Sequence, residues 1–171
     1  AAPLMASHGI ALTQAWIGDM PASEHEPVVA DATRLTQVIV NLLSNAAKYN
    51  RPGGSVRIEC EPLPAGRFAV RVIDTGRGMS AEQVEQLFEP FNRLGLEGSA
   101  IEGTGIGLVI TQRLVELMNG LLHVESEPGA GTTFSVILPR GERPLLAMPV
   151  ASGPRVDAPV RQGRVLYIED N

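Results

Sequence analysis

Cysteine is almost missing from this chain of 171 residues, which contains only Cys60. A single thiol excludes an internal disulfide and any zinc site built on several cysteines, and it fits a reducing compartment. Long apolar runs are missing too, because no stretch approaches the roughly 18 residues that a membrane-spanning helix needs. We therefore expect a cytoplasmic domain that makes no membrane contact itself, even where its parent protein carries a membrane anchor.

Basic residues are also in short supply. Lys and Arg number 14 against 19 Asp and Glu, which gives a net charge of −5. This acidity argues against nonspecific nucleic-acid binding. The sequence has no initiator Met, signal peptide or transit segment, which favours a fragment of a longer protein. Its hydrophobic content of 44% is that of an ordinary globular domain.

Hydrophobic periodicity predicts two helices and two hairpins within residues 1–140. A short β run at 28–30 leads into Asp31, a residue type that caps helices, and the first long helix follows. Alternating residues at 55–61 and 67–73 predict one hairpin. The segments 121–127 and 132–138 predict another.

The region between the hairpins carries weaker signals. Ser80 predicts the start of a short helix over 81–88, with Glu82 near the N3 position of a capping box. Residues 89–104 predict a long loop, a length that is often a functional lid. A second amphipathic helix follows from Ile106 and ends at Gly120.

The C-terminal part differs in composition. Residues 141–163 are rich in Pro, Gly, Ala and Arg and predict a linker. Residues 164–171 contain the buried-strand pattern Val165-Leu-Tyr-Ile168, followed directly by Glu169-Asp170. An acidic pair at a strand end is typical of a Mg²⁺-binding carboxylate pocket, and a frayed chain end is the alternative.

The most informative motif lies in the first long helix. Asn41, Asn45 and Lys48 are spaced i, i+4 and i+7, so they fall within about 60° of each other on one face. The apolar residues of this helix predict a separate buried face. Amide oxygens and an ammonium in one row suit a hydrated Mg²⁺ and its phosphates, although a solvated polar face would look similar in isolation.

Three further motifs follow in the chain. Asp74-Thr-Gly-Arg-Gly78 comes directly after a predicted strand, where a carboxylate and glycines let a flat ring approach the backbone. Phe88-Glu-Pro-Phe-Asn-Arg93 is the next. The last, Gly103-Thr-Gly-Ile-Gly107-Leu, opens a helix and predicts an anion site. It is not a dinucleotide-binding fingerprint, because no strand precedes it and Leu108 stands where that pattern has another glycine.

In order and spacing, these four motifs resemble the N, G1, F and G2 boxes of the sensor histidine kinase catalytic domain, within the gyrase–Hsp90–histidine kinase–MutL superfamily. The resemblance covers roughly residues 1–140, and it implies an α/β two-layer sandwich of the Bergerat type. In that fold a mixed sheet packs against about three helices, and ATP binds under a lid. Residues 164–171 resemble the start of a receiver domain, which implies a hybrid histidine kinase.

The resemblance also implies roles for individual residues, with ATP and Mg²⁺ as the ligands. Asn45 would bind Mg²⁺ directly and Asn41 would assist it, while Lys48 and Arg93 would neutralise the phosphates. Tyr49 would pack near the base. The glycine-rich segment would contact the triphosphate through Gly103, Thr104, Gly105, Gly107 and Leu108.

The remaining implied roles concern the adenine. Asp74 would accept a hydrogen bond from its amino group, with Gly76 and Gly78 admitting the ring. Thr132 is a weaker candidate for a contact with the base.

The reaction class depends on position 41. Hydrolytic members of the superfamily have a general-base Glu there, whereas Asn cannot take a proton at neutral pH, which favours phosphoryl transfer over hydrolysis. The implied partners are an upstream dimerisation domain with the phosphoacceptor histidine and a receiver domain or response regulator. None of His8, His25 and His123 lies in a sequence that could form a phosphoacceptor helix. At His25, which is followed by a Glu as in the acceptor motif, Pro27 interrupts the helix that would be needed. A stand-alone serine kinase of the anti-sigma type and a degenerate nucleotide-sensing module are the alternatives.

Overall fold

The structure is a computed structural model that describes Met5 and residues 9–17, 28–95 and 103–141. Of the predicted linker, only Gly141 falls within these residues. The predicted receiver segment 164–171 lies outside them, as do His8 and His25.

A five-stranded sheet forms one layer of the described fold. Its strands lie in the order β1-β2-β3-β5-β4. Strand β1 runs parallel to β2, and all the other neighbours are antiparallel, so the sheet is mixed as expected. The bounds are β1 Ala11–Trp16, β2 Ser55–Leu63, β3 Arg67–Asp74, β4 Leu121–Glu127 and β5 Gly131–Pro139.

Helices form the second layer, and within the described residues they are α1 Ala32–Lys48, α2 Ala81–Glu85 and α3 Gly107–Leu117. Helices α1 and α3 contact each other, and α1 also packs on β2 and β3. The core between the layers joins helix residues such as Val38, Leu42 and Val115 to Val72 and Val136 of the sheet. The two-layer sandwich is therefore confirmed.

The predicted faces of α1 are also confirmed. Asp31 caps the helix by accepting a hydrogen bond from the Arg34 backbone N–H at 3.0 Å. Its buried residues are Val38, Leu42, Leu43, Ala46 and Ala47. The helix ends at Lys48, so the polar row of Asn41, Asn45 and Lys48 occupies its last two turns.

Several details differ from the sequence-based expectations. Strand β1 was not predicted at all. The run at 28–30 is not a strand: Val28 forms an isolated bridge with Arg140. The helix that begins after Ser80 ends at Glu85, and its capping box pairs Ser80 with Gln83, because N3 is the third helical residue and Glu82 is only the second.

Candidate functional site

A cleft of about 200 Å³ lies where α1, the beginning of α3 and the end of β3 meet. Of the 14 site residues predicted from the sequence, all but Gly76 line it. The lining set is Asn41, Asn45, Lys48, Tyr49, Asp74, Gly78, Arg93, Gly103, Thr104, Gly105, Gly107, Leu108 and Thr132. The structure therefore brings four separated motifs to one place.

The polar row of α1 faces the beginning of α3. Asn41 donates from Nδ2 to the Thr111 hydroxyl oxygen at 2.7 Å. The same amide packs against Gly107, where a Cβ atom would lie 3.0 Å from Oδ1 and 3.3 Å from Nδ2. The amide therefore lies beside the start of α3, with its NH₂ group bonded to Thr111 and its oxygen not used by that bond.

The N-terminus of α3 is open to a ligand. Ile106 precedes the helix and makes no side-chain capping hydrogen bond. The first backbone N–H groups of a helix have no partner within the helix, and the helix dipole adds positive potential there. Because Gly105 and Gly107 line the cleft at this point, the geometry suits a phosphate group.

Asp74 marks a second, more buried part of the cleft wall, at the end of β3. Its side chain is buried, and Oδ1 accepts a hydrogen bond from the Gly76 backbone N–H at 2.7 Å. Burial raises the pKa of Asp74, while backbone hydrogen bonds from Gly76 and Thr132 partly oppose that shift. The carboxylate can accept further hydrogen bonds from a ligand donor.

Thr132 and Ser126 extend this polar part of the wall. Their hydroxyl oxygens lie 2.9 Å apart. Ser126 Oγ accepts from the Met79 backbone N–H at 2.9 Å and donates to the Gly131 carbonyl at 3.0 Å. Ser126 has one hydroxyl proton, which can go to Gly131 or to Thr132, so the Thr132 hydroxyl can act as donor or as acceptor at the cleft.

Tyr49 and Arg77 form a stacked pair on the cleft wall. The Arg77 guanidinium carbon lies 5.0 Å from the centre of the Tyr49 ring, within the range of a cation–π contact. The Arg77 backbone N–H also donates to the Tyr49 carbonyl at 3.3 Å. This contact fixes Tyr49 beside the strand-end loop that begins at Asp74.

The structure gives Gly76 and Gly78 a packing reason. A Cβ on Gly76 would lie 2.6 Å from the Tyr49 carbonyl oxygen. Gly78 has φ of +66°, and its Cβ would lie 1.8 Å from the Glu127 carbonyl oxygen. Both glycines are therefore needed for backbone contacts around the cleft. Their predicted role in admitting a ring stays a prediction.

The F and G2 motifs meet through their backbones. Phe91 donates from its N–H to the Gly105 carbonyl at 3.1 Å. Gly105 has φ of +73°, and a Cβ there would lie 2.8 Å from the Phe91 carbonyl carbon. This contact holds the start of α3 beside the segment that carries Arg93.

Sequence reasoning missed six of the residues that line the cleft. They are Arg77, Met79, Leu87, Asn92, Leu94 and Phe134. Arg77 and Asn92 lie inside recognised motifs, so motif membership was a usable signal for them. The four apolar residues read as ordinary core positions.

The cleft residues fit a magnesium ion that arrives with phosphates. In the described part of the chain, no group of three or more His, Cys, Asp or Glu side chains could hold a metal. Asn41 and Asn45 instead supply neutral amide oxygens. Mg²⁺ often uses few protein ligands and completes its shell with water and phosphate oxygens, so this donor set is compatible with it.

Comparison with known proteins places the chain in a family. Residues 30–142 match the model of the histidine kinase-, DNA gyrase B- and HSP90-like ATPases. The chain belongs to this family. The four motifs and the sandwich fold therefore define an ATP-binding domain of the histidine kinase class.

Curated relatives are histidine kinases by name. The cell-division control histidine kinase PdhS of Brucella canis is 39% identical over 121 residues, covering 66% of this chain and 12% of PdhS. The adaptive-response sensory kinase SasA of Synechococcus elongatus is 39% identical over 122 residues, covering 71% and 30%. The chain thus spans less than a third of either relative.

Solved structures agree in fold. Full-length ShkA in complex with AMPPNP has a TM-score of 0.66 and 29% identity, over 86% of this chain and 30% of ShkA. The catalytic domain of histidine kinase ThkA has a TM-score of 0.66 and 26% identity, over 81% and 84%. In the residues that the structure describes, no helix is long and apolar enough to cross a membrane.

Proposed function

We propose that this chain is the catalytic domain of a sensor histidine kinase, binding Mg²⁺-ATP and donating the γ-phosphoryl group to a histidine on an upstream dimerisation domain. One observation carries the proposal. The α1 row of Asn41, Asn45 and Lys48 lines the same cleft as the buried Asp74 and the uncapped start of α3. The cleft therefore offers acceptors in one part and cation- and anion-binding groups in another.

The part of the cleft around Asp74 suits adenine. Asp74 and Thr132 both present hydrogen-bond acceptors there, and the adenine amino group is a donor. Guanine has a carbonyl oxygen at the equivalent position, which would face the acceptor oxygens of the Asp74 carboxylate. Such a mismatch typically costs about 1–3 kcal/mol, so the cleft should prefer ATP to GTP. Tyr49, held by Arg77, supplies an apolar ring surface for the base.

The part of the cleft at the start of α3 suits the triphosphate. We assign the Asn45 amide oxygen as a direct Mg²⁺ ligand, with Asn41 assisting it. Magnesium there would neutralise charge and hold the β- and γ-phosphates in position. Lys48 and Arg93 add positive charge, and backbone N–H groups at the start of α3 bind phosphate oxygens.

The proposed step is an in-line transfer. A lone pair on an imidazole nitrogen of the acceptor histidine forms the new P–N bond as the bond between the γ-phosphorus and the bridging β–γ oxygen breaks. The electron pair leaves on that oxygen with ADP, and the acceptor's other ring nitrogen releases its proton to solvent water. Positioning and charge neutralisation carry most of the catalysis in such transfers.

Hydrolysis is disfavoured by the residue at position 41. An amide cannot accept a proton from water at neutral pH. The Asn41 NH₂ group is also engaged with Thr111. An attacking water would therefore lack a base at this position, whereas a neutral imidazole needs none to attack.

We further propose that the catalytic domain ends near residue 140, followed by a linker to 163 and the start of a receiver domain at 164–171. The end of β5 at Pro139 and the end of the family match at residue 142 support the first boundary. A receiver domain or separate response regulator would accept the phosphoryl group from the histidine.

A labelling experiment tests the function. The chain is incubated with γ-labelled ATP and Mg²⁺, alone and with the parent protein's dimerisation domain supplied separately. We expect no label on the chain itself and acid-labile label on the added domain. Transfer should be slow, because the covalent link that would provide an effective concentration on the order of mM is lost.

Two results would contradict the proposal. Acid-stable label on the chain would indicate the serine kinase alternative, since phosphoserine survives acid and phosphohistidine does not. Nucleotide binding without any transfer to the added domain would indicate a nucleotide-sensing module. An Asn45→Ala chain serves as the control, because this substitution should abolish transfer while leaving the sandwich folded.

A further inference from the structure

Thr111 links the two helices that form the cleft. It lies on α3, one turn after Gly107, and its side chain is fully buried, with 1% of its surface exposed. Its hydroxyl oxygen accepts the 2.7 Å hydrogen bond from Asn41, a residue 70 positions earlier on α1. A buried polar bond between helices restrains the position of both partners.

The orientation of the Asn41 amide decides what it can bind. One end of an amide accepts hydrogen bonds or ligates cations, and the other end donates two hydrogen bonds. A half-turn of the side chain exchanges these ends. With the NH₂ group on Thr111, the oxygen is the end of the amide that remains for a cation beside Gly107 and the start of α3. The opposite orientation would direct an NH₂ group at a bound cation.

Gly107 makes this arrangement possible. A Cβ at position 107 would lie 3.0 Å from Asn41 Oδ1 and 3.3 Å from Nδ2, which is tighter than normal packing. The glycine thus leaves room for the amide beside the first turn of α3. Thr111, one turn further along, holds the amide through its NH₂ group.

On the basis of the proposed function, we infer that Thr111 is a positioning residue for magnesium: its hydroxyl orients the Asn41 amide so that Oδ1 serves the cation at the start of α3. Thr111 contacts neither nucleotide nor metal in this arrangement. Its effect passes through Asn41. The buried hydroxyl also makes the position of the amide depend on the position of α3.

The test compares Thr111→Val with Thr111→Ser. Valine has nearly the same shape but no acceptor, whereas serine keeps the hydroxyl and serves as the control. Calorimetric titration measures the affinity of each chain for ATP with Mg²⁺ and for ATP in EDTA. Changing the groups that orient a metal ligand commonly costs about 10- to 100-fold in metal affinity. We expect Thr111→Val to reduce the magnesium-dependent gain in affinity by roughly 10-fold. The separate Thr111→Ser chain should keep the gain of the unaltered chain.

A double-mutant cycle separates positioning from packing. In an Asn41→Ala background, Thr111→Val should cause no further loss of the magnesium-dependent gain, because the group it positions is gone. Thr111→Ala provides a second hydroxyl-free variant if the valine chain does not fold, as judged by thermal unfolding. It should show the same selective loss.

Three outcomes would overturn the inference. They are an unchanged magnesium dependence in the folded hydroxyl-free variant, an equal loss of affinity with and without magnesium, and a serine chain that behaves like the valine chain. Failure of the unaltered chain to bind ATP is a different result. It would overturn the proposed function, and with it the assignment of Thr111.

Discussion

Replacing Asp74 with Asn should lower the affinity for nucleotide and, independently, change how the stability of the ligand-free fold depends on pH. The carboxylate is 8% exposed and serves the backbone N–H groups of Gly76 and Thr132. An amide has only one oxygen. If that oxygen keeps the 2.7 Å bond to Gly76, the new NH₂ group faces the Thr132 backbone N–H or the amino group of the ligand. Two hydrogen-bond donors then face each other.

The expected loss of affinity follows from the charge on the acceptor. A hydrogen bond to a charged group contributes about 1.5–3 kcal/mol, which corresponds to roughly 10- to 150-fold in the dissociation constant. Asp74→Asn should weaken ATP binding by that amount. It should weaken GTP binding less, because an amide NH₂ can donate to the guanine carbonyl. The preference for ATP should therefore shrink.

The pH dependence of stability gives an independent test of the same residue. Burial raises the pKa of Asp74 in the folded state above the ordinary value of 3.8. The folded chain then holds this proton more tightly, so the stabilisation present below 3.8 is lost as the pH rises through the raised pKa. The asparagine chain lacks this term. Its free energy of unfolding, relative to the unaltered chain, should increase from pH 4 to pH 7.

Urea unfolding at several pH values measures the stability, and calorimetry measures both affinities. Asp31→Asn is a matched control, because it removes the same charge from an exposed N-cap of α1 outside the cleft. It should leave nucleotide binding unchanged. Equal ATP affinity in the Asp74→Asn and unaltered chains would refute the role of Asp74. A constant stability difference across this pH range would refute the account of its burial.

Two further substitutions test the cleft. Gly78→Ala should destabilise the fold by more than about 3 kcal/mol in urea unfolding, because its Cβ would overlap the Glu127 carbonyl. Gly66→Ala is its control: φ is also +66°, but the space is open, so a loss of only about 1–2 kcal/mol is expected, and equal losses would contradict the packing argument. Asn45→Ala should weaken Mg²⁺-ATP binding about 10-fold or more while leaving metal-free ATP nearly unchanged. A uniform loss would show that Asn45 supports the fold instead.

Local patterns predicted the parts of the fold whose causes are local. The stripe from Val38 to Ala46 and the cap at Asp31 set α1, and alternation set the hairpins. Strand β1 was missed because Ala11–Trp16 has only one β-branched residue, Thr13. Its strand conformation comes from parallel pairing with β2, which lies about 40 residues away. No local pattern records that pairing.

The site residues also divide into those that local motifs identify and those whose positions depend on distant parts of the chain. Motif spacing identified Asn41, Asp74 and the glycines around the cleft. The contacts that orient them are long-range and have no sequence period, as in the bonds from Asn41 to Thr111 and from the Met79 N–H to Ser126. The short helix α2 shows that even a local pattern can be wrong by one residue. The sequence placed Glu82 near the capping position, whereas the partner of Ser80 is Gln83.

The interlocked backbones beside Asp74 have a consequence for ligand discovery. A Cβ on Gly131 would lie 2.0 Å from the Asp74 carbonyl, and Gly129 donates to the Arg77 carbonyl at 2.7 Å. Two loops are thus joined main chain to main chain, which leaves little conformational entropy to lose on binding. Small aminopyrimidine-like fragments should therefore bind this corner with high ligand efficiency.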